Sequence, residues 1–315
     1  MALLGGLEDP TKEEWIILAP FLEAGEEPYR REVFNLLRSA PWFGLINSLE
    51  LWERWLAEGD EERLNRVAYL LWMAQKHEPD RVAELLEPYL GLPAWHNRIA
   101  YVLSRADLHT GRRFFELFLK AVDKGILDEA DMGMDLYDLP DKNPEWACEA
   151  LYHYLKRRQE RNLFGANELF DPFSRSASSN YDEELFTKSA QRAPKAFVTQ
   201  LLPFMLKLMQ DLAKQEGEAP YEDPIWRYRY LGESHSTEDT LLRAMEVALR
   251  TLAENEPEAF NPFARLLREK SDFETVQYLL VRSYAADGER YADEAIEYLL
   301  ERPARLETGY ASNSH

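Results

Sequence analysis

Apolar residues along this chain return after three and four positions. Tyr29, Val33, Leu36 and Leu37 do so, as do Leu64, Val67, Leu71 and Ala74, Phe114, Leu117, Phe118 and Ala121, Cys148, Leu151, Tyr152 and Leu155, and Leu241, Met245, Ala248 and Leu252. Each set forms one stripe along a helix. No stretch alternates Val, Ile or Thr with polar residues between Asn-Gly or Asp-Gly turns, the mark of a half-buried hairpin. The pattern predicts an all-α chain of about a dozen helices or slightly more, each about 10 to 18 residues long. Pro28, Pro79, Pro144, Pro194 and Pro257 each precede a stripe and mark helix starts, because the N–H that proline lacks has no partner in the first turn. Asn143 is placed as an N-cap, and Ser236 with Asp239 resembles a capping box. Gly25, Gly91 and Gly288 follow stripes and are expected to be left-handed C-terminal caps.

A second regularity is proline inside the helical pattern. Leu18-Ala19-Pro20-Phe21-Leu22, Leu86-Glu87-Pro88-Tyr89-Leu90 and Leu201-Leu202-Pro203-Phe204-Met205 share one form, and Phe260-Asn261-Pro262-Phe263 is a looser copy. Each proline removes a backbone hydrogen bond and kinks the helix, and the following aromatic is expected to fill the opened side. The spacing of roughly 60 to 70 residues fits two helix pairs or one loose unit. This pattern resembles the irregular repeats of HEAT-type and tetratricopeptide-like α-solenoids. Tyr291-Ala292-Asp293-Glu294-Ala295-Ile296-Glu297-Tyr298-Leu299 looks like a tetratricopeptide-type helix, although the Trp-x-x-Leu-Gly-x-x-Tyr signature is absent. The expected fold is an α-solenoid of irregular helical hairpins. The Ser-rich stretch 165-181 is expected to divide it into an N-terminal half, 1-164, and a C-terminal half, 182-315. The second half carries a long aromatic loop, 215-236.

Composition narrows the partners. The 315 residues include 57 acidic and 37 basic side chains, a formal net charge of −20, and 45% are apolar. That is too apolar for a disordered chain. The acidity argues against nucleic acid or an anionic membrane as main partner, since both would be repelled over most of the surface. One cysteine, Cys148, excludes a disulfide framework and fits a reducing compartment. No apolar run reaches the roughly 20 residues of a membrane span, and no signal-like segment opens the chain. A cytoplasmic, soluble protein is expected.

Catalytic signatures are missing: there is no phosphate-binding loop, no dinucleotide fingerprint, no His-Glu-x-x-His and no Gly-x-Ser-x-Gly. The six histidines are scattered singly, so no metal site and no cofactor are expected, and the chain is not expected to be an enzyme. The acidic cluster Asp128, Glu129, Asp131, Asp135, Asp138 and Asp141 fails calcium-loop spacing, because Lys142 stands where that loop needs Glu. It reads as a solvated turn, with weak cation or basic-peptide binding as the alternative. Cys148 lies on an apolar stripe and reads as a small core residue. Lys156-Arg157-Arg158 with Arg161 ends a helix, where cations oppose the macrodipole; a patch for an acidic partner is the alternative.

The candidate binding residues are Trp226, Arg227, Tyr228, Arg229 and Tyr230. In an extended conformation the aromatics fall on one side and the arginines on the other. Either the aromatics pin the long loop onto the fold, or the run is a recognition edge of the residue types that dominate protein interfaces.

The run Asp223-Pro224-Ile225-Trp226-Arg227-Tyr228-Arg229-Tyr230, then Ser234-His235-Ser236, the helix from Asp239 to Ala253, and Glu256-Pro257-Glu258-Ala259-Phe260 is similar to the C-terminal helical-repeat region of bacterial STAND-type antiviral ATPases. That resemblance implies a sensor that binds a phage protein and oligomerises only in the context of a longer chain carrying an effector and a nucleotide-binding module. The polar stretch after Pro303 has no capping repeat, which fits a fragment. The alternatives are a stand-alone scaffold without a defence role, and a helical enzyme whose site cannot be assigned.

Overall fold

The computed structural model describes residues 9–23, 26–58, 60–127, 136–161, 179–212, 225–226, 237–270, 272–302 and 305. Among them there are α-helices and 3-10 turns and no strand, so the chain is all-α and built as an α-solenoid of irregular hairpins. It divides into two compact units, 1–135 and 136–315.

The first unit runs through α1 (Lys12–Glu23), α2 (Glu27–Leu37), α3 (Ala40–Ser48), α4 (Leu51–Glu58), α5 (Glu61–Ala74), α6 (Pro79–Leu86), α7 (His96–Leu103) and α8 (Arg112–Asp123). Helix α5 packs on α7 and α6 on α8, as stacked hairpins require, whereas α1 to α4 pack chiefly on their immediate neighbours. The early hairpins close around an aromatic cluster. Trp52 and Trp55 meet edge to face at 5.8 Å, and Trp15 and Phe34 lie 5.9 and 6.3 Å from Trp55.

Two features fix the later hairpins. Gly111, the N-cap of α8, lies so close to α6 that a Cβ there would stand 2.7 Å from the Pro79 ring and from the Asp80 carboxylate. That approach lets Asp80 Oδ1 accept from the Arg113 N–H at 3.1 Å, so α8 is capped by the preceding hairpin and not by its own N-cap residue. At its other end Gly125 takes φ 67°, and Gly125 N–H to Val122 and Ile126 N–H to Ala121, each at 2.9 Å, complete a Schellman cap.

The second unit has one helical turn (Leu139–Lys142), then α9 (Pro144–Glu160), α10 (Ser179–Arg192), α11 (Pro194–Leu212), α12 (Thr237–Asn255), α13 (Pro257–Glu269), α14 (Glu274–Tyr284) and α15 (Gly288–Glu301). Helix α9 packs on α10 and α11, and α12 packs on α10, α11 and α14. Helices on both sides of the Ser-rich stretch therefore share one core, and the division at 165-181 is corrected to 135/136. Cys148 illustrates why: its Sγ lies 4.0 Å from the Ala193 carbonyl, across the stretch expected to separate halves.

The five prolines expected to start helices all do so. Pro20, Pro203 and Pro262 lie inside helices, whereas Pro88 ends α6 and opens a 3-10 turn. All four face solvent, where water can satisfy the carbonyl left without its donor. Of the aromatics that follow, Phe204 is buried while Phe21 is 43% exposed, so filling by the aromatic is not general. Gly91 and Gly288 do not adopt the left-handed conformation; Gly288 instead opens α15, and its N-cap Asp287 accepts from Arg290 N–H. Asn143 occupies the N-cap position of α9 without a capping side-chain bond. Gly25, Ser236 and the acidic residues 128–135 lie outside the described residues.

Candidate functional site

Trp226 is fully buried, and its indole N–H donates to the Glu238 carbonyl at 2.8 Å. The acceptor lies in the first turn of α12, so the aromatic segment is rooted at the head of the helix that organises the second unit. A polar indole can enter an apolar core when its N–H finds such an acceptor. Trp226 is thus an anchor that ties its segment to the fold. Arg227, Tyr228, Arg229 and Tyr230 lie outside the described residues.

A second feature was not anticipated from the sequence. Helices α13, α14 and α15 enclose an open cleft of about 370 Å³ lined by Arg265, Arg268, Tyr284, Tyr291 and Glu294. The Tyr284 and Tyr291 rings stack 5.5 Å apart, and Phe260 meets both edge-on. Burial pushes both phenols above their ordinary pKa, so at neutral pH they are uncharged. The Tyr291 hydroxyl is buried, and Arg290 lies over its ring at 6.0 Å. Arg268 is held by Glu301 and lies 3.5 Å from Glu297, and the hydrogen bond to Glu301 raises its pKa further. Arg265 is exposed. Neutral donors, cations and one carboxylate thus share one concavity, which suits contact with a mixed-charge surface. Arg265, Arg268 and Tyr291 carry no sequence signal as a group, since the residues of three helices converge only in the packed hairpins.

No family model, curated protein or solved structure matches the chain. The remaining candidate chemistry is local. Cys148 is buried, and desolvation pushes its thiol up to about 12, so the nucleophilic thiolate is suppressed near neutral pH. Arg158 packs over the Tyr154 ring at 5.9 Å and is almost fully buried, while Arg157 pairs with Glu160 at 3.2 Å, so this basic run is used within the helix end. Asp141 pairs with Lys188 and Arg192 at 3.3 Å. Among the described residues no group of three His, Cys, Asp or Glu is placed to hold a metal ion, and no helix is long and apolar enough to cross a membrane.

Proposed function

We propose that this chain is a protein-binding α-solenoid whose contact surface includes the segment 227–230. On the resemblance to STAND-type antiviral ATPases, its partner is a phage protein. The observation that carries this reading is the Trp226 anchor, a buried ring tied to Glu238 immediately before an Arg- and Tyr-rich run. Tethering one end of a segment reduces the conformational freedom it loses on binding. Tyr and Arg supply the large, amphipathic contacts typical of binding hot spots. The acidic surface favours a partner with basic character and speeds its encounter.

The test replaces Arg227, Tyr228 and Arg229 by Ala together and keeps Trp226. Capture of the partner from phage-infected lysate is expected to fall at least about tenfold, equivalent to about 1.4 kcal/mol, with helical circular dichroism unchanged. Undiminished capture by a folded triple variant overturns the assignment.

A further inference from the structure

The last described helix, α15, presents an exposed outer face. On α15, Tyr291 and Tyr298 point into the fold, while Ala292, Ile296 and Leu300, four residues apart, lie on the outside. Ile296 is 56% and Leu300 71% exposed. Residues four apart stack along one side of a helix, so these three make a continuous apolar stripe. Beside it runs a row of exposed acids at the same spacing, Glu289, Asp293 and Glu297.

Ion pairs elsewhere say what such a face receives. Between hairpins the acid comes from the earlier element and the cation from the later one: Glu23 with Arg54, Glu53 with Arg81, Glu84 with Arg113, Glu87 with Lys120, Glu246 with Arg282 and Asp272 with Arg302. Among the described residues the exceptions all pass through Arg268, which pairs with Glu297 and Glu301 of α15. We infer that the outer face of α15 is a docking surface for a helix of another protein, one with apolar residues four apart flanked by Lys or Arg.

Charge selects this occupant over two others. A second copy could offer its exposed Ile16, Ile17 and Phe21, but the same helix carries Glu13, Glu14 and Glu23 against the single cation Lys12, so its net charge opposes the acidic row. The chain's own residues 306–315 contain Glu307 and neither Lys nor Arg. The inference rests on the reading of the chain as a protein-binding array, but not on the segment 227–230.

The test titrates the full chain with two labelled helical peptides of about 18 residues, identical in their Leu stripe and flanked by Lys in one and Glu in the other. The parent is expected to bind the Lys peptide at least about tenfold more tightly. Glu289→Lys/Asp293→Lys/Glu297→Lys should invert that order, and Ile296→Ser/Leu300→Ser should weaken the Lys peptide by a similar factor with helicity retained. An unchanged order in the charge-reversed variant assigns binding to the general acidity of the chain and overturns the proposal. Parent-like binding by the Ser variant overturns it too. A concentration-dependent dimer lost in the Ser variant would assign the face to a second copy, and a tenfold gain on removing residues 306–315 would assign it to the tail. Either result refutes the proposed occupant. The Arg227, Tyr228 and Arg229 triple variant should keep the peptide affinity, so failure of this surface and failure of the segment 227–230 are read separately.

Discussion

The two units solve the same stacking problem differently. In the first, side-chain contacts between successive hairpins join residues 26 to 39 positions apart. Glu23 to Arg54 and Asn47 to Glu78 span 31 residues, and Asp80 to Arg113 and Glu87 to Lys120 span 33. In the second, Asp141 meets Lys188 and Arg192 across 47 and 51 residues, before α12 to α15 return to 32 for Glu246 to Tyr278 and 33 for Arg268 to Glu301. The longer spacings straddle the Ser-rich stretch after α9. Uninterrupted stacking lets many small contacts repeat, whereas an interrupted hairpin depends on individual anchors. Trp226 is such an anchor, and the ladder of Glu53, Arg81, Glu84, Arg113, Glu87 and Lys120 is the repeated kind.

The ladder is exposed, so each pair adds little. Arg81 and Arg113 hold the Glu84 carboxyl below the ordinary range, and Lys120 does the same for Glu87. A depressed carboxylate stabilises the fold above its unfolded pKa, and that contribution is lost as pH falls through the folded value.

The sharpest test of the contrast is Trp226→Ala. It removes a fully buried ring and leaves the Glu238 carbonyl without this donor, so a loss of about 3–5 kcal/mol is expected. Hydrogen exchange should rise in α10, α11 and α12 while α5 to α8 keep their protection. Equal loosening of both units would show that one anchor serves the whole chain.

Gly111→Ala probes the first unit with a smaller expected effect. The added Cβ overlaps Pro79 and Asp80, and overpacking of this kind costs about 1–3 kcal/mol. Urea unfolding should register the loss, with the amide protection of Arg113 falling first because its acceptor is Asp80. An unchanged midpoint would mean that the two hairpins can slide apart at no cost.

The gentlest probe is pH at Cys148. Its thiol is raised from 9.0 to about 12 in the fold, so between those values the native state keeps a proton that the unfolded chain releases. Stability should therefore fall as pH rises through this window, by at most about 1.4 kcal/mol per pH unit from this group, with no contribution well below 9. Comparing the parent with Cys148→Ala isolates the slope, and a slope common to both would assign it elsewhere.

How much of this was readable in advance differs residue by residue. The stripe through Cys148, Leu151 and Leu155 fixed their burial, because period alone tells which side of a helix is apolar. Pro79 and Pro144 marked helix starts through local chemistry. Pro88 and Pro203 carried the same motif and met different fates, a 3-10 turn and a continuous helix, so the motif did not decide the outcome. Trp226 was ambiguous because it stands outside any periodic stripe, and its burial depends on a carbonyl twelve residues later. The cleft around Tyr291 was out of reach, since three helices contribute to it.

By itself the sequence determined that the chain is helical, where several helices begin and which face of each is apolar, because propensity, proline geometry and periodicity act over a few residues. Only the tertiary structure decided which apolar faces meet, that the units divide at 135/136, that Asp80 caps α8 from the neighbouring hairpin, and that Ile296 and Leu300 stay uncovered. A stripe specifies that something apolar should cover it. What covers it depends on contacts between residues about thirty or more positions apart, and those depend on how the hairpins stack.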